Sequence, residues 1–218
     1  MSLFLIIFEN INLEVKEGSK VGVAGNSGRG KTTMLKIMAS LYSPTNGTVY
    51  LGEKPYSRYS LDTLREDIAY VDQMSFVFEG TILDNLIMGT PLREVDVNYI
   101  NKVAEICGLY HLDPSNLNDL EMLLAENGDN LSGGQKQKIG VARALINKPK
   151  LLLLDEATSN IDEESKHKIL SFIFSLEGTT VISISHDKNT LQYCDQCLLM
   201  ENNQIKMIQV EKNDLVTI

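Results

Sequence analysis

Short apolar runs bounded by turn residues alternate along this chain with stretches whose apolar positions recur every three or four residues. The first kind reads as buried strand and the second as amphipathic helix. Lys20-Val21-Gly22-Val23-Ala24 predicts a short buried strand. Thr32 to Leu41 predicts a helix whose apolar face carries Met34, Leu35, Ile37, Met38 and Leu41. Residues 4–17 alternate loosely, which predicts an antiparallel strand or hairpin at the start. Pro44-Thr45-Asn46-Gly47 predicts a turn into a strand at Thr48–Leu51. Ser60 caps a brief helix to Glu66, with Asp62 in its first turn, and Ile68–Val71 is then a strand delivering Asp72 and Gln73.

From Thr81 to Asn147 the period becomes helical: Leu83, Leu86 and Ile87 share a face, and Val97, Ile100, Val103, Ala104 and Ile106 make a second amphipathic run. Pro114 to Asn118 is a polar connector, and Gln135 to Asn147 is the clearest helix, with Ile139, Ala142, Leu145 and Ile146 inward. Leu151–Leu154 is a continuous apolar run, as a central parallel strand requires. Ser165 to Leu176 is a helix, Thr180 to Ser185 another buried strand, and Asn202-Asn203 turns a closing hairpin between Leu198–Met200 and Gln204–Ile208. Strand and helix alternate at both ends of the chain, so an α/β core with a helical insertion over about 81–147 is expected.

Composition narrows the function. A net charge of −9 supplies no basic stripe for phosphate backbones, so no nucleic-acid partner is expected. No run of about 18 apolar residues is present to span a bilayer. Leu3 to Phe8 is short and lacks a cleavable secretory pattern. Three cysteines, an odd number, suit a reducing compartment, and Cys194-x-x-Cys197 has no second Cys/His pair at matching spacing, so both read as core or surface thiols.

The chemistry sits first in Gly25-Asn26-Ser27-Gly28-Arg29-Gly30-Lys31-Thr32, which fits G-x-x-x-x-G-K-[ST] at each fixed position and is followed by Thr33. The glycines let backbone N–H groups turn inward as an anion nest, placed where a strand feeds a helix N-terminus. Lys31 then reaches the terminal phosphates, and the Thr32 hydroxyl can ligate Mg²⁺. Asp155-Glu156 ends the Leu151–Leu154 strand, and ligand sites in parallel sheets gather at strand carboxyl ends. One carboxylate there can hold the Mg²⁺ shell and its neighbour can orient or deprotonate a water. Leu131-Ser132-Gly133-Gly134-Gln135 supplies a second capped helix start, with Ser132 as N-cap. A lone histidine at a strand end, such as His186, is by itself more often structural; His111 and His167 lie in polar stretches and read as surface residues.

Together, Gly25–Thr32, Leu131–Gln135, Leu151–Glu156, Gln73 and His186 resemble the nucleotide-binding domain of an ABC transporter over essentially the whole chain. The resemblance implies one such domain over 1–218: a P-loop NTPase core with an antiparallel β subdomain and an inserted helical subdomain. It implies ATP and Mg²⁺ as cofactors and ATP hydrolysis as the activity. By position, Asp155 resembles the Walker B aspartate, Glu156 the catalytic glutamate, Gln73 the Q-loop glutamine that reaches Mg²⁺, and His186 the switch histidine at the γ-phosphate. Ser132, Gly133, Gly134 and Gln135 would close over the nucleotide of a second copy in a head-to-tail dimer. Ser159-Asn160-Ile161-Asp162 occupies the D-loop, with Asn160 departing from the usual wording.

The segment Phe76-x-Phe78-x-Gly80-Thr81-Ile82-x-x-Asn85 and Glu126 resemble the exporter branch, which implies a transmembrane partner at the surface around Gln73 to Asn85 and a place on the cytoplasmic face of a membrane. Lys138 stands where Arg is commoner in the family, and Arg29 where a small Ser is usual; Arg29 either adds a phosphate contact or points to solvent. The family's adenine-stacking aromatic would fall at or before Met1, so the expectation is a domain of a longer polypeptide with membrane helices upstream. Phe4 and Phe8 are possible substitutes, although the strand reading makes them core. A soluble ABC switch acting on macromolecules would bring tandem cassettes or coiled coils. A regulator without turnover would lack Glu156 or His186, and both are here.

Overall fold

The computed structural model describes residues 7–88, 96–111, 119–201 and 204–209. In chain order the elements are β1 (Lys20–Ala24), α1 (Lys31–Met38), β2 (Tyr50–Leu51), β3 (Lys54–Pro55), α2 (Leu61–Asp67), β4 (Ile68–Val71), β5 (Gly80–Thr81) and α3 (Ile82–Ile87). They continue with α4 (Val97–Ile106), β6 (Leu123–Leu124), α5 (Gly133–Ile146), β7 (Leu151–Asp155), α6 (Glu163–Ser175), β8 (Thr180–Ile184), α7 (Lys188–Leu191), β9 (Gln196–Glu201) and β10 (Gln204–Gln209). The chain divides into two units, one of residues 1–70, 150–155 and 177–218 and the other of 71–149 and 156–176.

The first unit is built on a six-stranded sheet in the order β10-β9-β1-β8-β7-β4. β1 runs parallel to both β8 and β9, and β7 runs parallel to β8. All five residues of β1 and of β8 are buried, which explains why these segments read as continuous rather than alternating apolar runs. Val21, Val23, Leu35, Leu153, Ile182, Ile184 and Leu198 form the core between sheet and helix. Burying a side chain of this size contributes about 1.5–3 kcal/mol, so this cluster is the main anchor of the unit. Register aligns Val23 with Ile184, and Asp155 with Ile184. The carboxyl ends of β1, β7 and β8 therefore open on one sheet edge.

In the second unit α5 is the central helix, burying Ile139, Val141, Ala142 and Leu145. Ile82 and Leu86 of α3 and Ile100, Val103 and Ala104 of α4 are also buried in this unit. Thr81 and Asp84 cap α3 reciprocally, each side chain bonding the other's backbone N–H. Asn85 is fully buried, and its amide closes the preceding loop: it accepts from Phe78 N–H and donates to the carbonyls of Phe78 and Thr81. Arg143 of α5 donates to Phe76 O at 2.9 Å, Asn85 O at 2.7 Å and Asn85 Oδ1 at 3.2 Å. Burial pulls the pKa of this guanidinium down from its usual value. Ser75 Oγ is the one buried side-chain oxygen without a partner among the described residues, and it lies where a side chain on Gly140 would be, 2.0 Å from that Cβ position. Removing a buried unsatisfied hydroxyl relieves its desolvation cost, so Ser75→Ala should stabilise by about 1 kcal/mol. Gly140→Ala should destabilise through the clash, and urea midpoints of the two variants, moving in opposite directions, check both.

Several expected boundaries move. Of the stretch expected as a strand or hairpin at 4–17, residues 4–6 lie outside the described residues, and among the described residues 7–17 form no strand. α1 stops at Met38 because Ser40 turns left-handed and the N–H groups of Leu41 and Tyr42 fold back on Lys36 O. Leu41, expected on the inward face, is 57% exposed as a result. The strand expected at Thr48–Leu51 shrinks to Tyr50–Leu51, paired with β3. The helical insertion also contains a small β5–β6 pair, and α7 follows β8. Phe8 packs against the core of the first unit, whereas Phe4, Pro114–Asn118 and Asn202-Asn203 lie outside the described residues. Cys107, Cys194 and Cys197 are buried free thiols, and burial pushes Cys107 and Cys194 up to about 12, so neither is a ready metal ligand or nucleophile.

Candidate nucleotide site

In the first unit the phosphate loop leaves the end of β1 and enters α1. Gly25 has φ +140, and a side chain there would meet Met200 O at 2.6 Å, so both backbone and packing demand glycine. Gly30 is the N-cap of α1 at φ +90, and no side chain caps the helix. Its first-turn N–H groups are thus directed to the loop rather than consumed by a cap. Asn26, Ser27, Gly28 and Arg29 are exposed along the loop, so Arg29 points to the solvent side. Lys31 is buried, and its Nζ donates to Gly25 O at 2.6 Å and Asn26 O at 3.1 Å, drawing the ammonium across the loop. Thr33, the next residue but one, is half-buried.

Asp155 is 3% exposed, and both its oxygens are engaged. Thr32 Oγ1 donates to Oδ1 at 3.2 Å, and Tyr70 Oη donates to Oδ2 at 3.0 Å. A hydroxyl and a carboxylate oxygen held together in this way are the hard-oxygen donors that Mg²⁺ uses alongside waters and phosphates. Among the described residues no group of three or more His, Cys, Asp or Glu side chains gathers as a metal cluster. His186 is exposed on the loop after β8, the strand beside β1. Asp187, the following residue, caps α7 through the Asn189 N–H.

In the second unit Glu156 sits at φ +51, a left-handed conformation costly for a side chain of this kind. Its Oε2 accepts a 2.9 Å hydrogen bond from Gln73 Nε2. Ser132 caps α5: its Oγ accepts from Gln135 N–H at 3.2 Å, and Gln135 Oε1 accepts from Ser132 N–H at 2.7 Å. The Gln135 side chain is therefore turned into the cap. Gly134 lets Asn160 O approach, since a side chain would stand 2.4 Å from that oxygen, and Gly133 is exposed. Asp162 caps α6 and takes a 3.1 Å ion pair from Lys138. The Ser165 N–H bond, with help from Lys138, holds the Asp162 carboxyl down to about 2.

The sequence and the fold are similar to those of known proteins. The sequence profile described as ABC transporter fits residues 8–159. The chain belongs to the ABC transporter family. It is 35% identical over 201 residues to the alpha-hemolysin translocation ATP-binding protein HlyB of Proteus vulgaris, covering 92% of this chain and 28% of that protein. It is 34% identical over 202 residues to the ABC transporter B family member 17 of Arabidopsis thaliana, covering 92% of this chain and 16% of that one. A bacterial Atm1-family ABC exporter with ATP bound superposes with a TM-score of 0.85 at 28% identity, covering 96% of this chain and 36% of that chain. The chain thus spans about a third or less of these relatives. It is an exporter-like ABC nucleotide-binding domain with the P-loop NTPase α/β fold, and an ATPase by family. No helix among the described residues is long and apolar enough to cross a membrane.

Within this ABC domain, sequence reasoning missed Tyr70 on Asp155 and, above all, Gln137, which is 1% exposed. Its one sequence signal was its place in Gly134-Gln135-Lys136-Gln137-Lys138, where it reads as one more polar residue. The Asp162 shift has a testable sign. Its folded pKa lies below the ordinary value of 3.8, so its contribution to stability is complete above that pH and fades as pH falls toward 2. The cap contributes on the order of 1 kcal/mol. Asp162→Ala should therefore lower the urea midpoint at pH 6, with the gap to wild type closing between pH 4 and pH 2.

Proposed function

We propose that this chain binds Mg·ATP at Gly25–Thr33 and hydrolyses it to drive transport, with export as the direction. The observation that carries the reading is the pairing of Gln73 with the Glu156 carboxylate, at the residue following Asp155. Thr32, Asp155 and Gln73 would hold the Mg²⁺, which supplies charge neutralisation for the phosphates when bound. Lys31 and the free N–H groups at the start of α1 bind the β- and γ-phosphates. Glu156 accepts the proton of the attacking water, Gln73 orients that carboxylate, and His186 contacts the γ-phosphate. Ser132, Gly133, Gly134 and Gln135 complete the site of a second copy in a head-to-tail dimer.

In this reading 1–218 is one nucleotide-binding domain with a helical insertion at about 81–147. Its transmembrane partner is fused upstream, and the domain lies on the cytoplasmic face of the membrane. Exposed Met74 and Phe76, beside Gln73, supply the apolar surface for that partner. The exporter relatives favour this over a soluble switch. The test is metal dependence of phosphate release. EDTA should abolish it, and Thr32→Ala should raise the Mg²⁺ needed for half-maximal rate on the order of tenfold, equivalent to about 1.4 kcal/mol. Turnover insensitive to EDTA would refute the site.

A further inference from the structure

One face of α5 carries Gln137, Gly140 and Arg143, spaced three residues apart. Along that face lies the loop after β4: Gln73 O is bonded by Gln137, Ser75 sits over Gly140, and Phe76 O is bonded by Arg143. Gln137 does more than hold this loop. Its Nε2 donates to Gln73 O at 2.9 Å, to Ser159 Oγ at 3.1 Å and, more weakly, to Glu156 O at 3.4 Å. Its Oε1 accepts from Asn160 N–H at 2.8 Å. Two amide hydrogens serve three oxygens, so one is shared and no donor is left over.

We propose that Gln137 is a positioning residue for ATP hydrolysis, and that it carries the state of the Ser132 end of α5 to the Gln73–Glu156 pair of the same chain. The inference rests on the reading of Gln73 and Glu156 as the catalytic pair. Ser132 caps α5 and Gln137 lies just over one turn into it, so a shift of the capped end moves the Gln137 amide with the helix. Because that amide, itself buried, bonds the backbones of both Gln73 and Glu156, the shift reaches their side chains through part-buried hydrogen bonds. The left-handed Glu156 backbone gives this leverage: a conformation so unfavourable for a residue with a side chain persists only where its surroundings hold it. In the same bond set, Ser159 and Asn160 move with the helix, so α5, the loop at Gln73 and the stretch Glu156–Asn160 respond together.

The test uses Gln137→Met, which keeps the volume and removes each of these bonds. Gln137→Asn, which keeps an amide too short to span Gln73 and Asn160 at once, serves if the first variant folds poorly. In hydrogen exchange on nucleotide-free protein, the Asn160 amide and the amides of 73–76 should exchange on the order of tenfold faster. With ATP, the dissociation constant should stay within about threefold while kcat falls on the order of tenfold to a hundredfold. Val103→Ala, a buried change in α4, is the stability control: it should lower Tm comparably and leave kcat at 25 °C unchanged. Exchange unaltered by Gln137→Met overturns the inference, as does a kcat loss matched by Val103→Ala or by an equal loss of ATP affinity. Absence of wild-type turnover would sink the catalytic reading itself, and exchange alone would then decide whether Gln137 holds these segments.

Discussion

Glu156→Gln is expected to lower ATP turnover by a factor on the order of 10² to 10⁴, the span for losing general-base help, while ATP binding survives. The substitution is conservative in every respect but charge. A glutamine keeps an oxygen to accept the 2.9 Å bond from Gln73 Nε2, so the loop stays where it is. The left-handed backbone at φ +51 is equally available to either residue, so no new strain enters. Asp155, with its bonds from Thr32 and Tyr70, is untouched, and so are the donors proposed for Mg²⁺. What disappears is the negative charge that accepts the water's proton. The variant should accumulate as an ATP-bound pair of chains, visible as a shift in gel filtration. Hydrolysis at near wild-type rate would remove Glu156 from the mechanism.

Those parts of the fold encoded by neighbours in sequence were legible. The Gly25–Thr32 loop, the buried runs of β1, β7 and β8, and the Ser132 cap with Gln135 three residues on each carry their own local signal. Features set by distant partners were not. The end of α1 depends on a left-handed Ser40 that no propensity marks, and residues 7–17 alternate like a strand but form none among the described residues. The two-residue strands β5 and β6 come together from either side of α3 and α4 in sequence. The same division runs through the site. Lys31, Thr32 and Asp155 announce themselves through motif and strand end. Gln137 and Tyr70 do not, because their roles come from Gln73, Ser159 and Asp155, far away along the chain. A polar residue on the inward face of α5 was the available hint, and only burial turned it into a hub.

In the proposed mechanism each active site is built from two chains, with Lys31, Glu156 and Gln73 from one and Ser132 from the other. Lys31→Ala removes the ammonium that lies over the loop and should abolish phosphate binding in its own half-site. Ser132→Arg places a bulky cation where a capped helix end should meet the partner's phosphates, and also breaks the bond to Gln135 N–H. Each variant alone should be nearly inactive, since every pair it forms has two spoiled sites. Mixed in equal amounts, about half of randomly formed pairs combine the two variants, and each mixed pair holds one intact site. The decisive measurement is phosphate release from that mixture, with cross-linking to count the mixed pairs. Recovery to about a quarter of the wild-type rate is expected, as half the pairs carry one site of two. Mixed pairs that form as expected but release phosphate no faster than the separate variants would contradict it.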